Sequence, residues 1–351
     1  MPTPSKSIDW SACAAKLAAE LPPVRLHPAV RTLIEGKSKV RGPWAVAFSG
    51  GADSLALLLL LWANYPEMRT KLVALHFNHR LRGKAARSDE LFCRAVCCSL
   101  QITFVAGRWQ RAPRQASEAQ AREERFQFFA REMRARRAMA LWLGQQQDDV
   151  AETLLMRLAR GSGSAGLAAP RPVQRVAGRI HLRPLLTLKK VELAAKLRQA
   201  GAAWCEDATN GQDDHLRNRI RRQVIPAWRR AAQDRDVLAG AALARELIEE
   251  DDDALEAWVD RIDPVLPDHT LDLVRLAGSP RAVWRRALHR WLRAQPKAGE
   301  LSRQGFASLL AAVETSRSGR HSLGVAGFAV IRRDRLRFES TRGRTSHSPR
   351  K

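Results

Sequence analysis

No stretch of this 351-residue chain holds the ~18 uninterrupted apolar residues that a helical membrane span requires. The first twenty residues lack the charged, apolar and cleavage-site succession of a secretory leader, so the expected compartment is the cytoplasm. No CxxC pair occurs. Cys13, Cys93, Cys97, Cys98 and Cys205 are odd in number and give no zinc or iron–sulfur spacing. Cys93, Cys97 and Cys98 fit a helix face, and all five read as structural thiols of a reducing compartment. There is no internal repeat. Acidic residues are scarce beside basic ones: 36 Asp and Glu stand against 60 Lys and Arg, a formal charge of +24. A polyanion is the natural partner for such a surface, because arginine forks suit phosphate and release counterions on binding. Free use of arginine codons in a high-GC genome is the bland alternative.

The length calls for two or three domains. From Trp44 onward, short apolar runs alternate with helical stretches. WAVAF (44–48), LVALHF (72–77), ITFV (102–105) and MALWL (139–143) read as strands of a parallel sheet buried on both faces. Leu55–Asn64, Ala85–Ser99 and Glu118–Arg137 have helical spacing between them. This alternation predicts an α/β, doubly wound domain over residues 1–235. A smaller, mainly helical domain is expected over 236–340, ending in a hairpin at 321–338, with a disordered basic tail at 341–351. The Gly/Ser/Pro-rich segment 157–172 reads as a mobile loop, and the acidic run Glu249–Asp253 as a solvated helix face.

The chemistry begins at "SGGADS", Ser49–Ser54, where the first strand gives way to a helix. Free backbone N–H groups and the helix dipole make an anion site there, and Gly50 and Gly51 let the backbone approach a phosphate closely. Ser49 and Ser54 add hydroxyls, and Asp53 is placed to hold a metal ion. The Gly-Lys-Ser/Thr of a Walker A loop is absent, which disfavours γ-phosphoryl transfer. A tight turn with an ordinary cap is the alternative reading of the hexapeptide alone.

"SGGADS" resembles the PP-loop of N-type ATP pyrophosphatases, which grip the pyrophosphate of ATP and cleave between the α and β phosphates. Further motifs follow in order: "HFNHRLRG" (76–83), "AREERF" (121–126), "DDVAETLLMRLARGSG" (148–163), "RPLL" (183–186), "WCEDATN" (204–210) and "RNRIRRQVIP" (217–226). Together, over roughly residues 40–230, they resemble the tRNA(Ile)-lysidine synthetase family. The resemblance implies ATP and Mg2+ as cofactors, and free lysine and the tRNA(Ile) with a CAU anticodon as substrates. ATP adenylates the oxygen at carbon 2 of the wobble cytidine, the lysine ε-amine displaces AMP, and lysidine results. By position, the resemblance gives Ser49, Gly50, Gly51, Ala52, Asp53 and Ser54 to the pyrophosphate, with His76, Asn78, His79 and Arg82 at the next strand end. Asp53 and Asp149 hold the metal and act in catalysis with Arg122 and Arg217. Glu152 grips lysine, and Asp148, Arg125, Asn218 and Arg221 serve substrate. Asp148 and Glu152 are expected on one helix face with Asp149 pointing elsewhere, and Asp148 also suits a helix cap. A homodimer is compatible with the resemblance.

The family pattern before the paired aspartates resembles GHxxDD, whereas this chain has "GQQQDD" with Gln145 in the histidine's place. Glutamine cannot titrate near neutrality. Phe126 stands where a tyrosine is frequent. A tRNA thiolase with the same ATP chemistry and a catalytically degenerate tRNA-binding protein are the rival readings. The cysteine spacing disfavours the first, and intact Asp53, Asp149, Glu152 and arginines disfavour the second.

Overall fold

The structure is a computed structural model and describes residues 8–36, 40, 42–80, 84–110, 112–113, 117–206, 216–295 and 301–340. Arg82 and the tail 341–351 lie outside the described residues. The chain divides into two compact units after Glu249.

The first unit is built on a six-stranded sheet. Its strands are β1 (Trp44–Ala47), β2 (Leu72–Asn78), β3 (Thr103–Arg108), β4 (Ala140–Trp142), β5 (Val173–Val176) and β6 (Arg179–Leu182). Their order is β3-β2-β1-β4-β6-β5; β5 alone runs antiparallel, to β6. The order reverses between β1 and β4, the switch point at which doubly wound sheets open a crevice beyond their carboxyl ends. Alternate residues of one strand serve opposite cores. Trp44 and Val46 face helices Trp10–Glu20, Ala52–Asn64 and Lys190–Gln199, while Ala45 joins Phe128, Phe129 and Met133 of Glu118–Ala135 on the other side. Ser54–Leu61 is buried without a break, so Ala52–Asn64 is apolar all round, as a core helix must be.

A smaller cluster positions the later motifs. Ala151 and Leu154 of helix Gln147–Ala159 pack with Ile220, Ile225, Val237 and Leu238, which holds the basic segment 216–232 against that helix. This segment is not uniform. Leu216–Arg219 is α-helical, Ile220–Val224 is a π turn, and Ile225–Ala232 resumes the α-helix. The Ile225 N–H donates to Ile220, five residues back, immediately before Pro226, which has no N–H to give.

The second unit has helices Leu273–Leu276, Arg281–Ala294 and Arg303–Glu314 beside an antiparallel sheet. Its strands, β7 (Leu271–Asp272), β8 (Gly319–Ser322), β9 (Gly327–Arg332) and β10 (Arg335–Ser340), lie in the order β7-β10-β9-β8. Trp291, Leu288, Val313, Ile331 and Leu336 form its core. The hairpin foreseen at 321–338 is β9–β10; the sheet around it was not foreseen.

One expectation gains detail and another needs correction. Segment 157–172 contains a tight turn, with Ser162 N–H donating to Arg157 O (3.0 Å), and a one-turn helix Ser164–Leu167. The acidic run is not wholly solvated, because helical spacing turns two of its members inward. Glu249 pairs with Arg171 (3.3 Å) and with Arg245, and buried Asp252 pairs with Arg286. Among the described residues, no helix is long and apolar enough to cross a membrane.

Candidate active site

The loop after β1 is held by its own hydroxyls. The Ser54 hydroxyl donates to Gly51 O (3.0 Å), accepts from Ser49 N–H (3.2 Å) and lies 3.1 Å from the Ser49 hydroxyl. The Ser54 hydroxyl therefore braces the loop. Gly50 has φ +91°, and a Cβ there would lie 3.0 Å from Cys93 Sγ and 3.3 Å from Cys205 Sγ. Its carbonyl accepts from Cys205 N–H (3.0 Å). Gly51 caps helix Ala52–Asn64 without a side-chain hydrogen bond. The N–H groups of Ala52, Asp53 and Ser54 thus lack helical acceptors and face the crevice as anion donors.

Asp53 sits in this first turn with Oδ1 buried and without a hydrogen-bond partner. Burial, reinforced by the charge of Asp149, pushes its carboxyl up to about 7. Asp149 is also raised by burial, against the pull of Arg217. Two neighbouring carboxylates, one with an orphaned oxygen, suit a hard cation. Among the described residues no group of three His, Cys, Asp or Glu forms a metal cage. A pair of carboxylates matches Mg2+, which keeps waters and takes phosphate oxygens as further ligands.

Helix Gln147–Ala159 starts on an unforeseen cap. Gln146 accepts from Asp148 N–H (2.5 Å), while its own N–H donates to Asp149 Oδ2 (3.0 Å). The other oxygen of Asp149 accepts from Arg217 (2.8 Å). Glu152 is fully buried and accepts from Arg217 Nε (2.8 Å), Arg221 Nε (2.5 Å) and Arg221 Nη2 (3.0 Å). Asp149 and Glu152, three residues apart, therefore share one face. Asp148 turns away, accepting from Lys190 N–H (3.0 Å) and lying 3.5 Å from Arg229. The expected pairing of Asp148 with Glu152, and a cap at Asp148, are thus both corrected: the cap is Gln146, two residues earlier, which places Asp148 inside the first turn. Burial lowers Arg217, but Asp149 and Glu152 outweigh it and hold the guanidinium above its usual range.

Beside these acids lies a cluster of cations. Arg122 and Arg125 flank the Phe126 ring at 4.7 and 5.7 Å. Burial, then the charge of Arg122, lowers Arg125 to about 10, and its Nε is buried without an acceptor. His181 lies against the same ring (5.6 Å) and is pushed down to about 4 by burial, Arg183 and Arg122. Arg183 and His181 were missed by the sequence reading, although "RPLL" marked the segment.

The second motif is divided. His76 is buried, with Nδ1 3.0 Å from Phe48 O at the exit of β1. Asn78 accepts from Arg80 N–H (2.9 Å) and donates to Ala86 O (3.2 Å) and Glu90 (3.4 Å), so its amide ties the turn after β2. His79 packs edge-on to Phe77 at 4.9 Å. Asn218 is half-buried beside Arg217. A separate cavity of about 720 Å³ runs along β3, where Glu90, Glu124 and Glu132 balance Arg94, Arg108 and Arg131 and leave no net charge for a phosphate.

A family model described as PP-loop domain matches residues 26–228. Curated relatives named tRNA(Ile)-lysidine synthase include one from Symbiobacterium thermophilum, 41% identical over 211 residues, which are 59% of this chain and 44% of that one. One from Geobacter sulfurreducens is 39% identical over 58% of this chain and 46% of its own. One from Bacillus licheniformis is 33% identical over 69% and 52%. The chain spans about half the length of these relatives. A U34-tRNA thiolase from Methanococcus maripaludis, solved with its 4Fe–4S cluster, shares the fold at a TM-score of 0.51 and 16% identity, over 66% of this chain and 79% of that one.

Proposed function

Because the chain belongs to the PP-loop domain family, we propose that it activates the wobble cytidine of a CAU-anticodon tRNA(Ile) with ATP and joins lysine to it. The observation that carries this is the crevice between β1 and β4. There the helix start without a side-chain cap, the orphaned oxygen of Asp53 and the Asp149–Arg217 pair meet, in a chain 41% identical over 211 residues to a lysidine synthase.

In this reading the N–H groups of Ala52, Asp53 and Ser54 bind the β and γ phosphates. Asp53 and Asp149 would hold Mg2+, whose charge offsets that developing on the departing pyrophosphate. Arg122 and Arg125, lacking carboxylate partners among the hydrogen bonds of the described residues, face the α-phosphate or the adenylated base. A cytosine oxygen is a poor leaving group, and its adenylation allows AMP to depart. The attacking ε-amine must lose a proton, since free lysine has a pKa of ~10.4. With Asp53 and Asp149 given to the metal in this reading, that proton passes to solvent rather than to either carboxylate. Glu152 receives three guanidinium hydrogen bonds, so we assign it to holding Arg217 and Arg221 in place rather than to gripping lysine directly.

The test is incubation with unmodified CAU-anticodon tRNA(Ile), ATP and labelled lysine. Label in the tRNA, with one AMP per lysine, is the expected result. Binding of tRNA without ATP turnover overturns the proposal in favour of a binding protein.

A further inference from the structure

Arg183, just past β6, is 3% exposed, yet no carboxylate accepts its hydrogen bonds. Its three sides donate instead to neutral oxygens. Nη1 reaches Arg171 O (2.7 Å), Nη2 reaches Gln174 Oε1 (3.1 Å) and Nε reaches Gln145 Oε1. A guanidinium has donors only, so the side-chain oxygen of Gln145, not its nitrogen, must face it. The Gln145 amide is thereby fixed in one orientation. Its NH2 has no acceptor among the described residues and points away from Arg183.

That NH2 stands at the carboxyl end of β4, beside the crevice. Leu143 N–H donates to Leu182 O (2.9 Å), which holds the exits of β4 and β6 side by side. At the intervening Gly144 a Cβ would lie 2.8 Å from Asp53 O and 3.1 Å from Ser54 Cα, so this strand end is pressed onto the pyrophosphate loop. Phosphates already have charged and backbone donors here. A neutral amide donor of fixed direction suits a neutral acceptor instead.

We infer that Gln145 is a nucleotide-binding residue presenting a fixed, non-titrating donor to a nucleobase carbonyl oxygen or ring nitrogen, and that Arg183 is the positioning residue that aims it. This rests on the nucleotide chemistry proposed above. A neutral imidazole would present the same pattern, accepting from Arg183 on one nitrogen and donating from the other, but it would titrate.

The experiment compares AMP release, pH profile and melting temperature of the wild type with Gln145→Glu, Gln145→His, Arg183→Met and Arg183→Lys. Gln145→Glu keeps the hydrogen bond to Arg183 and replaces the donor with lone pairs. It should melt no lower than wild type and lose at least about 30-fold in kcat/KM. Gln145→His should stay within about 10-fold of wild type at pH 8 and take up one additional proton on its acid limb, below pH ~6.5. Arg183→Lys, which can still donate to Gln145, should recover part of the activity lost in Arg183→Met. An active wild type matched within twofold by Gln145→Glu overturns this inference alone. So does an unaltered pH profile in Gln145→His. A wild type that releases no AMP overturns the nucleotide chemistry and the inference with it.

Discussion

Asp53 shows what burial does to a single carboxyl. Raised to about 7 from 3.8, it binds its proton more tightly in the folded protein than in the unfolded chain. Its contribution to stability therefore falls as pH rises from about 4 to 7 and is level above. Asp53→Asn should raise the melting temperature at pH 8 and leave it nearly unchanged at pH 4, as calorimetry at the two pH values would show. The same variant should abolish AMP formation and keep tRNA affinity within about threefold, a split that filter binding beside a turnover assay resolves. Gly50 has a different constraint, in backbone and space together. Gly50→Ala forces a side chain into φ +91° against Cys93 Sγ, and urea denaturation should show a loss of about 1–3 kcal/mol. Adding Cys93→Ala should relieve only the steric part. Both residues were legible in the sequence because a Gly-rich strand-to-helix junction has one local geometry. The orientation of Asp148 was not, because it depended on Gln146, a residue outside the usual capping set, starting the helix.

At the scale of elements, two helices meet through one buried carboxylate. Removing it in Glu152→Ala leaves Arg217 and Arg221 without their shared acceptor, at a cost of about 3–5 kcal/mol in denaturant titration. Asp148→Asn, on the outward side, should cost under about 1 kcal/mol. Strands β1, β2 and β4 were readable because strands buried on both faces have continuous apolar runs, whereas the half-exposed edge strand β3 was readable from its β-prone run ITFV. The antiparallel β5, with the sequence VQRV and largely exposed, carries no such signature. The contact between "DDVAET" and "RNRIRR" was legible only as motif order. Sixty-five residues separate Glu152 from Arg217, and no local pattern encodes that meeting.

For the whole molecule, the charge of +24 carries a measurable consequence. If the partner is tRNA, log affinity should fall linearly with log salt. Replacing the exposed Arg219 and Arg222 together should flatten that slope by about 1–2 units, whereas Arg217, tied to Asp149 and Glu152, should act mainly on turnover. The doubly wound architecture was visible in the sequence as strand–helix alternation. The sheet of the second unit was visible only as its β9–β10 hairpin. Its other strands are two and four residues long and are set by pairing rather than by composition.

The π turn at Ile220–Val224 holds one residue more than an α-helix does over the same turn. Deleting one residue between Arg221 and Ile225 would let ordinary helical pitch resume with Ile225 still turned towards Ala151 and Val237. A second deletion would find no slack and rotate everything beyond it by about 100°. Genetic drift can shorten this segment by one codon more freely than by two.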